Sequence, residues 1–415
     1  MGIFNRPRFP SSVIKPKSAK RESSVATKAR KKGENIQVSV RFRPLSEKEK
    51  ANGEVEHWEP VDDVTVGVVS ASGQTKVAKY AYDAVFQSST ATEEVFDKCA
   101  KQLVWACMDG INSTVFAYGV TSSGKTYTMR GSRANSGIIS LAIQEVFSII
   151  MNTPNRDYLL RVAYIEIYNE VINDLLDPTN TNLKLREGSN QEVYVENVKE
   201  EVVVSIEHIL SLVATGESHR HVGSTNFNAE SSRSHTIFQL SIESSVSNGD
   251  RNSPGDVRQS VLNLIDLAGS ESSKVGYEGD STKRQREGGF INKSLLTLGT
   301  VITKLSEGGL SHIPYRDSKL TRFLQNSLGG NGRISVICAV TPAASHSEET
   351  HNTLKFASRA KLIEVNGERS MVMDDKLLIK KYQLEIADLK KQLTDLVDTK
   401  MTQARPSRPS RSTSE

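Results

Sequence analysis

The sequence is poor in cysteine and has no long apolar run, and each feature excludes a class of protein. Only Cys99, Cys107 and Cys338 occur in 415 residues, and no two stand in C-x-x-C spacing. Neither a disulfide framework nor a zinc cluster is indicated, and a reducing compartment is favoured. No apolar run approaches the roughly 18 residues that a membrane-spanning helix requires. Position 6 is not Ser or Thr, so the myristoylation pattern is incomplete.

Acidic residues are almost absent from the first 32 positions. This segment holds ten Lys or Arg and one acid, a balance of +9, so the rest of the chain sums to −5. Its prolines, serines and lack of apolar periodicity predict a disordered basic N-terminal arm over residues 1–32. Contact with an acidic partner and an organelle transit segment are the alternatives, since the arm is rich in Arg and Ser. Pro7, Pro10 and Pro16 argue against the amphipathic helix of a transit segment.

The most informative stretch is Gly119-Val-Thr-Ser-Ser-Gly-Lys-Thr126, which has the G-x-x-x-x-G-K-[ST] spacing of a phosphate-binding loop. Strand-like residues 113–117 run straight into it. Gly119 and Gly124 let the backbone bend tightly, so that successive N–H groups point at phosphate oxygens. Lys125 can reach the β- and γ-phosphates, and Thr126 can place its hydroxyl on Mg²⁺. A chance match is roughly a one-in-a-hundred event, so we predict a nucleotide triphosphate site.

Strand-like and helix-like segments alternate, which predicts one α/β domain around a central, mostly β sheet. Strands are predicted over residues 36–43, 157–169, 235–244, 257–267 and 333–340. Helices are predicted over 92–108, after the phosphate loop, over 205–215 with Gly216 as C-cap, and over 291–306 and 348–361. Residues 379–396 carry a short a/d heptad seam, which predicts either the start of a coiled coil or a lone amphipathic helix. A low-complexity, disordered tail is expected over 400–415.

Two further stretches have the residues of nucleotide-sensing loops. Asn228-Ala-Glu-Ser-Ser-Arg-Ser-His235 is polar, precedes a strand, and offers hydroxyls and one Arg. Asp266-Leu-Ala-Gly-Ser-Glu271 follows an apolar strand, where an Asp can hold Mg²⁺ through water. Gly269 can turn its backbone N–H onto a γ-phosphate. The two stretches are therefore predicted to sense the γ-phosphate bound by the phosphate loop.

With these motifs the chain resembles the kinesin motor family over about residues 35–365. The motifs occur in the family's order: Arg41-Phe-Arg-Pro44, the phosphate loop, Asn228–His235 as switch I, Asp266–Glu271 as switch II, Glu287–Leu295, His312–Arg322 and Thr353–Ala357. The resemblance implies an α/β P-loop NTPase fold, with helices on both faces of a mostly β sheet and a short neck helix after it. The implied domains are a motor domain over 33–362, a neck linker over 363–376 and a neck helix over 377–399.

The resemblance also implies ATP and Mg²⁺ as ligands and assigns residues to them. Arg41 and Pro44 would flank the adenine, with Tyr127 on its other side. The implied nucleotide-binding set is Arg41, Pro44, Gly119, Val120, Thr121, Ser122, Ser123, Gly124, Lys125, Thr126, Tyr127 and Ser231. Mg²⁺ would be held by Thr126 and Ser232, and by Asp266 through water. Arg233 and Glu271 would form an ion pair that closes over the γ-phosphate beside Gly269 and positions the attacking water.

A microtubule-binding face is implied by the same resemblance, because tubulin is acidic and this segment is basic. Its residues would be Lys274, Lys293, His312, Tyr315, Arg316, Lys319 and Arg322. In the neck linker, Ile363 would fill a pocket and Asn366 would act as a latch. A linker that follows the motor core implies movement toward the microtubule plus end, and the heptad seam would begin a homodimeric neck.

Two loop positions depart from many kinesins. Val120 stands where Gln is common and Ser122 where Gly or a small residue is common. Val120 removes one side-chain amide from the phosphate side. The Val-Thr-Ser-Ser version of the loop is most similar to the centromere-associated, seventh kinesin family, especially its plant-type members.

Three functions follow as hypotheses. The first is an ATP-dependent microtubule motor in the cytoplasm and on the cytoskeleton. The second is a nucleotide-regulated microtubule crosslinker or anchor with weak ATPase activity, which the complete set of hydrolytic residues disfavours. The third is an unrelated phosphate-loop NTPase acting on nucleic acid, which only the basic arm supports.

Overall fold

The computed structural model describes residues 33–69, 76–188, 192–222, 232–246, 257–271, 281–308 and 312–367. The predicted basic arm, the neck helix and the tail lie outside these residues, as do Ser231, Lys274 and the loop after residue 246. Nothing in the described part therefore bears on those predictions. No helix among the described residues is long and apolar enough to cross a membrane.

Strands and helices alternate through the described chain. The strands are β1 (Glu34–Asn35), β2 (Gln37–Phe42), β3 (Trp58–Pro60), β4 (Thr65–Val69), β5 (Lys76–Ala81), β6 (Ala84–Phe86), β7 (Ser113–Tyr118), β8 (Arg156–Tyr168), β9 (Val171–Asp174), β10 (Leu185–Glu187), β11 (Val193–Val195), β12 (Glu201–Val203), β13 (Ser234–Val246), β14 (Arg258–Asp266), β15 (Arg333–Val340) and β16 (Glu364–Val365). The helices are α1 (Glu47–Ala51), α2 (Thr92–Cys99), α3 (Lys101–Met108), α4 (Lys125–Arg130), α5 (Ile138–Asn152), α6 (Ile206–Val222), α7 (Ser281–Ser306), α8 (Lys319–Phe323), α9 (Gln325–Leu328) and α10 (Ser347–Ala360).

A nine-stranded mixed sheet forms the centre of the domain. Its order is β12-β8-β13-β14-β7-β15-β2-β6, with β9 paired to β8. The strands from β14 to β6 are parallel, and those from β8 to β13 are antiparallel. β7 and β15 are mostly apolar and are buried along almost their whole length, because strands in the middle of such a sheet are covered on both faces. Asp266 pairs with Ala117, so the carboxyl ends of β14 and β7 lie side by side.

Helices cover both faces of this sheet, as the sequence predicts. On one face, a core that includes Leu298 of α7, Leu320 of α8 and Leu354 of α10 is fully buried. On the other face, the core includes Leu103 of α3 and Ile143 of α5. These helices bury apolar side chains against the sheet, which is the usual way an α/β domain forms its core.

The predicted helix over 92–108 is wrong in one respect, since it is two helices. Ala100 separates α2 from α3, with φ −121° and ψ −34°. Both halves bury side chains in the same core, including Cys99 and Leu103. The break lets each half present its own apolar face to that core. Neither Gly nor Pro marks the position, so the sequence carried no signal for it.

Gly216 was also predicted wrongly, because it does not end a helix. Helix α6 continues through Gly216 to Val222. A Cβ at this position would lie 3.0 Å from Cε1 of Tyr164 and 3.3 Å from Cβ of Leu175. The glycine therefore permits close packing of α6 on β8 and is not a C-cap.

Helix α7 begins earlier than predicted, and some elements were not predicted at all. The apolar pattern starts only at Ile291, while the turns that precede it (STKRQREGG) have no apolar stripe. A separate three-stranded antiparallel sheet, β3-β4-β5, was missed because its strands are short. Trp58 of β3 joins this small sheet to the main core.

Candidate functional site

The phosphate-binding loop joins β7 to α4 and has residues in left-handed conformations. Gly119, Ser122 and Gly124 have φ values of 149°, 61° and 102°. A Cβ on Gly119 would collide with the carbonyl of Ala339 on β15 and lie 2.8 Å from Oγ of Ser123. Glycine is required here by the backbone angle and by the neighbouring strand. A loop with such residues can turn its N–H groups toward one centre, as an anion-binding nest does.

Lys125 is folded into this loop. It is buried, and its Nζ donates a hydrogen bond of 2.8 Å to the carbonyl of Val120. Burial lowers the pKa of Lys125, while the carboxylates of Asp266 and Glu271 oppose that shift. The ammonium is thus held inside the loop near two acids. Val120, the unusual residue of the loop, is itself buried and contributes this carbonyl; the effect of its missing amide stays a prediction.

Thr126 and Asp266, two of the predicted magnesium ligands, are in contact. The hydroxyl of Thr126 donates to Oδ2 of Asp266 at 2.6 Å. Oδ1 of Asp266 and Oγ of Ser123 are buried and have no hydrogen-bond partner in the described part of the chain. Buried polar atoms are normally satisfied, so these two point to a missing ligand. A carboxylate and a hydroxyl are hard oxygen ligands, and the pair fits Mg²⁺.

The two predicted sensing segments meet beside the phosphate loop. The backbone N–H of Gly269 donates to the carbonyl of Ser232 at 2.8 Å. Glu271 accepts a hydrogen bond of 2.8 Å from the N–H of Thr121, whose hydroxyl donates to the other carboxylate oxygen. Arg233 follows Ser232 and is half-buried. Its ion pair with Glu271 stays a prediction, whereas the contact of Glu271 with the loop is a feature of the structure.

Two of the predicted adenine residues, Arg41 and Tyr127, meet at α4. Arg41 is buried and donates to the hydroxyls of Thr128 and Thr92, each at 3.0 Å. Its guanidinium lies over the ring of Tyr127, 5.2 Å from the centroid. Burial lowers the pKa of Arg41, an effect that Tyr127 opposes. Tyr127 and Pro44 are exposed, so a flat ring and a proline are open to a ligand here.

Arg43 supports the phosphate loop, and sequence reasoning missed it. Its Nε donates to the carbonyl of Ser122 at 2.8 Å, and its guanidinium forms an ion pair of 2.6 Å with Glu49. Hydrogen bonds from Arg43 lower the pKa of Glu49 to about 2, against the opposing effect of burial. Glu49 also completes a capping box with Ser46 at the start of α1. The Ser-x-x-Glu spacing after Pro44 was the available signal.

His235 was placed in switch I but received no role of its own. It is buried, its Nδ1 accepts a hydrogen bond of 2.9 Å from the N–H of Ala268, and its Nε2 therefore donates to Oγ of Ser294 at 2.8 Å. Burial lowers the pKa of His235 to about 3, with further contributions from Lys125 and Arg220. A neutral imidazole thus connects β13, the segment after β14, and α7.

The predicted microtubule face is partly ion-paired within the chain. The Arg316 side chain is 74% exposed and lies 3.3 Å from Glu187, while Arg322 is mostly buried and contacts the same carboxylate. Hydrogen bonding to Arg322 is the main cause that lowers the pKa of Glu187. The Tyr315 hydroxyl is buried without a partner among the described residues, and burial raises its pKa to about 12.

The remaining basic residues have different surroundings. Lys293 and His312 are exposed, and Lys319 is half-buried. The backbone N–H of Lys319 donates to Glu170 at 2.8 Å, which fixes the start of α8. The structure therefore places all of these residues around the C-terminal half of α7 and on α8, with Lys274 outside the described chain.

The segment after α10 lies along the start of the domain. Ile363 and Val365 are each 2% exposed and belong to the core. The carbonyl of Ile363 accepts from the N–H of Ile36 at 2.9 Å, and β1 pairs antiparallel with β16. The N–H of Asn366 donates to the carbonyl of Gly330 at 2.9 Å. The two predicted neck-linker residues are thus anchored, one by burial and one by its backbone.

A family model for the kinesin motor domain matches residues 41–363. The chain belongs to the kinesin family. This match covers the whole site and the end of α10. It agrees with the P-loop NTPase fold, since structures of kinesin motors superimpose on the chain. One, described as the structure of a fast kinesin, has a TM-score of 0.73 at 40% identity and covers 80% of this chain and 93% of its own.

Two further comparisons refine the position within the family. Kinesin-like protein KIN-7E, chloroplastic, of Oryza sativa subsp. japonica is 59% identical over 88% of this chain and 31% of its own length. Kinesin-like protein KIN-7D, mitochondrial, of Arabidopsis thaliana is 58% identical over 88% of this chain and 33% of its own. The chain therefore spans about a third of the length of these relatives. Their KIN-7 names confirm the resemblance to plant-type members of the seventh kinesin family.

A second solved structure was determined with partners. The KIF14[391-772] dimer, in a two-heads-bound state with AMP-PNP and a microtubule, has a TM-score of 0.74 at 34% identity. It covers 84% of this chain and 99% of its own. At this identity the likeness extends beyond the fold to the family.

Proposed function

We propose that this chain is an ATP-dependent microtubule motor that couples ATP hydrolysis to docking of its neck linker. The observation that carries the proposal is the contact of Glu271 with the phosphate loop beside the Thr126–Asp266 pair. This contact brings Glu271, the predicted sensor of the γ-phosphate, close to the predicted metal ligands at the end of β14. Phosphoryl transfer requires mainly positioning and charge stabilisation, and these residues supply both.

Each residue has a distinct part in the proposed reaction. Mg²⁺, when bound, neutralises charge on the phosphates, and Thr126, Ser232 and Asp266 would hold it. Lys125 stabilises negative charge on the β- and γ-phosphates from inside the loop. Arg233 and Glu271 would close over the γ-phosphate and orient the attacking water. Glu271 already contacts the phosphate loop through Thr121, which supports its place beside the γ-phosphate.

The adenine side of the site has a simpler task. The exposed faces of Tyr127 and Pro44 offer contact to a purine, while Arg41 is fixed by the two threonine hydroxyls. A fixed guanidinium does not lose side-chain freedom when the nucleotide binds. This arrangement supports the proposed set Arg41, Pro44 and Tyr127.

The basic surface around α7 and α8 is the proposed contact with tubulin. The body of the chain is otherwise mildly acidic, so these bases would steer it to an acidic partner. The side chain of Arg316 is 74% exposed and so is accessible to a partner. The KIF14 structure, described as in complex with a microtubule, supports a microtubule as the partner.

The segment over 363–367 supports docking as the output of the cycle. Burial of Ile363 and pairing of β16 with β1 describe a linker held against the domain. A linker that leaves the motor core after α10 favours movement toward the plus end, and a homodimer through residues 377–399 would allow stepping.

Steady-state ATPase activity with and without polymerised tubulin tests the proposal. We expect stimulation that saturates with polymer and weakens as salt rises, because exposed charges make the contact. Glu271→Ala should retain nucleotide and microtubule binding but stop hydrolysis. Glu243→Gln, on the distant end of β13, is the matched control and should behave as the unchanged chain.

The outcomes separate the hypotheses. A basal rate that saturating microtubules leave unchanged contradicts the motor. Firm ATP-sensitive attachment without filament gliding would favour the crosslinker, the alternative reading of the same site.

The relatives' names bear on where the chain acts. Cytoplasmic microtubules are the proposed location, but relatives named chloroplastic and mitochondrial favour the transit alternative for residues 1–32. A fluorescent protein carrying residues 1–32 would decide. Uniform cytoplasmic signal supports the first location, and accumulation in an organelle overturns it.

A further inference from the structure

A cluster of buried charges lies between the phosphate-loop helix and switch I, and none of its members has a part in the chemistry above. Two arginines, two glutamates and a tyrosine form it, and the side chains of its charged members are between 4% and 21% exposed. The cluster consists of Arg130, Tyr164, Glu166, Glu217 and Arg220.

One end of the cluster is attached to the phosphate-loop helix. Arg130 is the last residue of α4, one helical turn beyond Thr126, and it forms an ion pair with Glu217 of α6. The hydroxyl of Tyr164 donates to the same carboxylate. Burial lowers the pKa of Arg130, whereas Asp266 raises it, so this guanidinium is within electrostatic range of the metal ligands.

The other end holds the base of switch I. Arg220 lies three residues after Glu217 on α6, with 3.7 Å between their Nη1 and Oε2 atoms. Its Nη2 donates to Oγ of Ser234 at 2.9 Å, and its Nε donates to Glu166 at 3.3 Å. Ser234 follows Ser232 by two residues. Arg220 therefore joins the end of α6 to the start of β13, the two elements that flank residues 223–233 along the chain.

Glu217 is the residue that both halves share. Its carboxylate accepts a hydrogen bond from Tyr164 of β8, forms an ion pair with Arg130 of α4 and lies 3.7 Å from the guanidinium of Arg220 on its own helix. The cluster has two positive and two negative groups, so its charge is balanced. Neutralising Glu217 leaves a buried surplus of positive charge, because the two arginines then lose the carboxylate that they share.

We propose that Glu217 is a positioning residue, which through Arg220 ties the phosphate-loop helix to Ser234 at the start of β13 and so sets the position of the neighbouring Ser232 and Arg233 for hydrolysis. The inference rests on the proposed ATPase function. Nucleotide affinity comes from the phosphate loop, which Glu217 does not contact in the described chain. Substitution of Glu217 should therefore lower the rate of hydrolysis and leave the affinity for ADP unchanged.

Steady-state ATPase measurements and titration with a fluorescent ADP analogue test this on the full chain. Glu217→Gln should lower kcat about tenfold, a typical coupling between sites. The Kd for MgADP should change less than about threefold. The reversal Arg130→Glu with Glu217→Arg restores opposite charges, and it should return kcat to within about threefold of the unchanged chain.

The matched control is Glu243→Gln, which breaks the Arg161–Glu243 pair between the same two strands. Glu243 lies nine residues along β13 from Ser234, about 30 Å away at the rise of a strand. Its kcat and Kd should both stay unchanged. A Glu217→Gln variant that lowers only the thermal midpoint, at normal kcat, overturns the proposal, because that is the result of a purely structural cluster.

Tyr164→Phe covers the case in which Glu217→Gln does not fold. It removes one hydroxyl donor and leaves the charges intact, so a decrease in kcat of about twofold at unchanged Kd is expected. An unchanged kcat then overturns the proposal. If the unchanged chain hydrolyses no ATP at any microtubule concentration, the proposed function has failed, which is a different result.

Discussion

Gly216 permits the closest approach of α6 to the sheet, and Gly216→Ala measures how tightly that contact is packed. An alanine Cβ would lie 2.5 Å from Cδ1 and 3.0 Å from Cε1 of Tyr164, closer than side chains approach one another without a shift. Tyr164 is fully buried, its ring packs against Phe238 and its hydroxyl donates to Glu217. The ring therefore has no free space into which it can move.

The expected loss of stability is the difference of two opposing effects. Alanine in place of glycine inside a helix stabilises by about 0.5–1 kcal/mol, because the unfolded chain loses freedom. Overpacking a filled core costs about 1–3 kcal/mol. The variant should therefore be less stable than the unchanged chain by about 1 kcal/mol, the centre of a range from about 0 to 2.5 kcal/mol. Since α6 ends at the base of switch I, ATPase activity should fall as well.

Denaturant unfolding followed by circular dichroism checks this value, with Gly299→Ala as the matched control. Gly299 lies inside α7, and a Cβ there would have no neighbour within 4 Å. Only the favourable effect applies to it, so Gly299→Ala should be more stable by about 0.5–1 kcal/mol. If both variants change stability in the same direction and amount, the close packing of α6 on Tyr164 is refuted.

Four further changes have expected outcomes. Lys125→Ala should weaken ATP binding about 10- to 100-fold through lost charge-assisted hydrogen bonds, as titration with a fluorescent analogue would show; unchanged affinity contradicts its placement. Asp266→Asn should raise the Mg²⁺ concentration for half-maximal ATPase activity about tenfold. Because the pKa of Glu49 is lowered to about 2, its contribution exists above pH 4.5 and is lost as pH falls toward 2. The stability advantage over Glu49→Gln should therefore shrink between pH 5 and about 3.5 in urea titrations, and a constant advantage would contradict the ion pair. Ile363→Ala should cost about 2–4 kcal/mol in unfolding experiments, whereas exposed Leu362→Ala should be neutral; equal effects would contradict burial of Ile363.

The fold class could be predicted because its signals are local and strong. The runs that become β7 and β15 are mostly apolar and buried, as is typical of strands covered on both faces. The phosphate loop was predictable for the same reason, since its strand, glycines and lysine are consecutive. Errors arose where tertiary packing decided the outcome, as with Ala100, which breaks a helix without any breaker residue.

Supporting residues around the site were harder to predict. Arg43, His235 and Glu217 act through partners far along the chain. Arg43 reaches Ser122 and His235 reaches Ala268. An arginine or histidine in a polar stretch could equally be solvated or bind any of several partners, so the sequence alone favours no single one.

The sequence by itself determined the phosphate loop, the order of the motifs and hence the family. Each motif consists of consecutive residues, and its chemistry allows few residue types at each position. Only the tertiary structure decided which distant groups meet. Thr126 and Asp266 are 140 residues apart, and they touch because β7 and β14 are parallel neighbours that end together. The tertiary structure also decided that Gly216 lies inside α6 and permits close packing. The Tyr164 ring beside it leaves no room for a larger side chain. The spacing of residues along the chain predicts local structure. Contacts across the sheet depend instead on the order in which the strands pair.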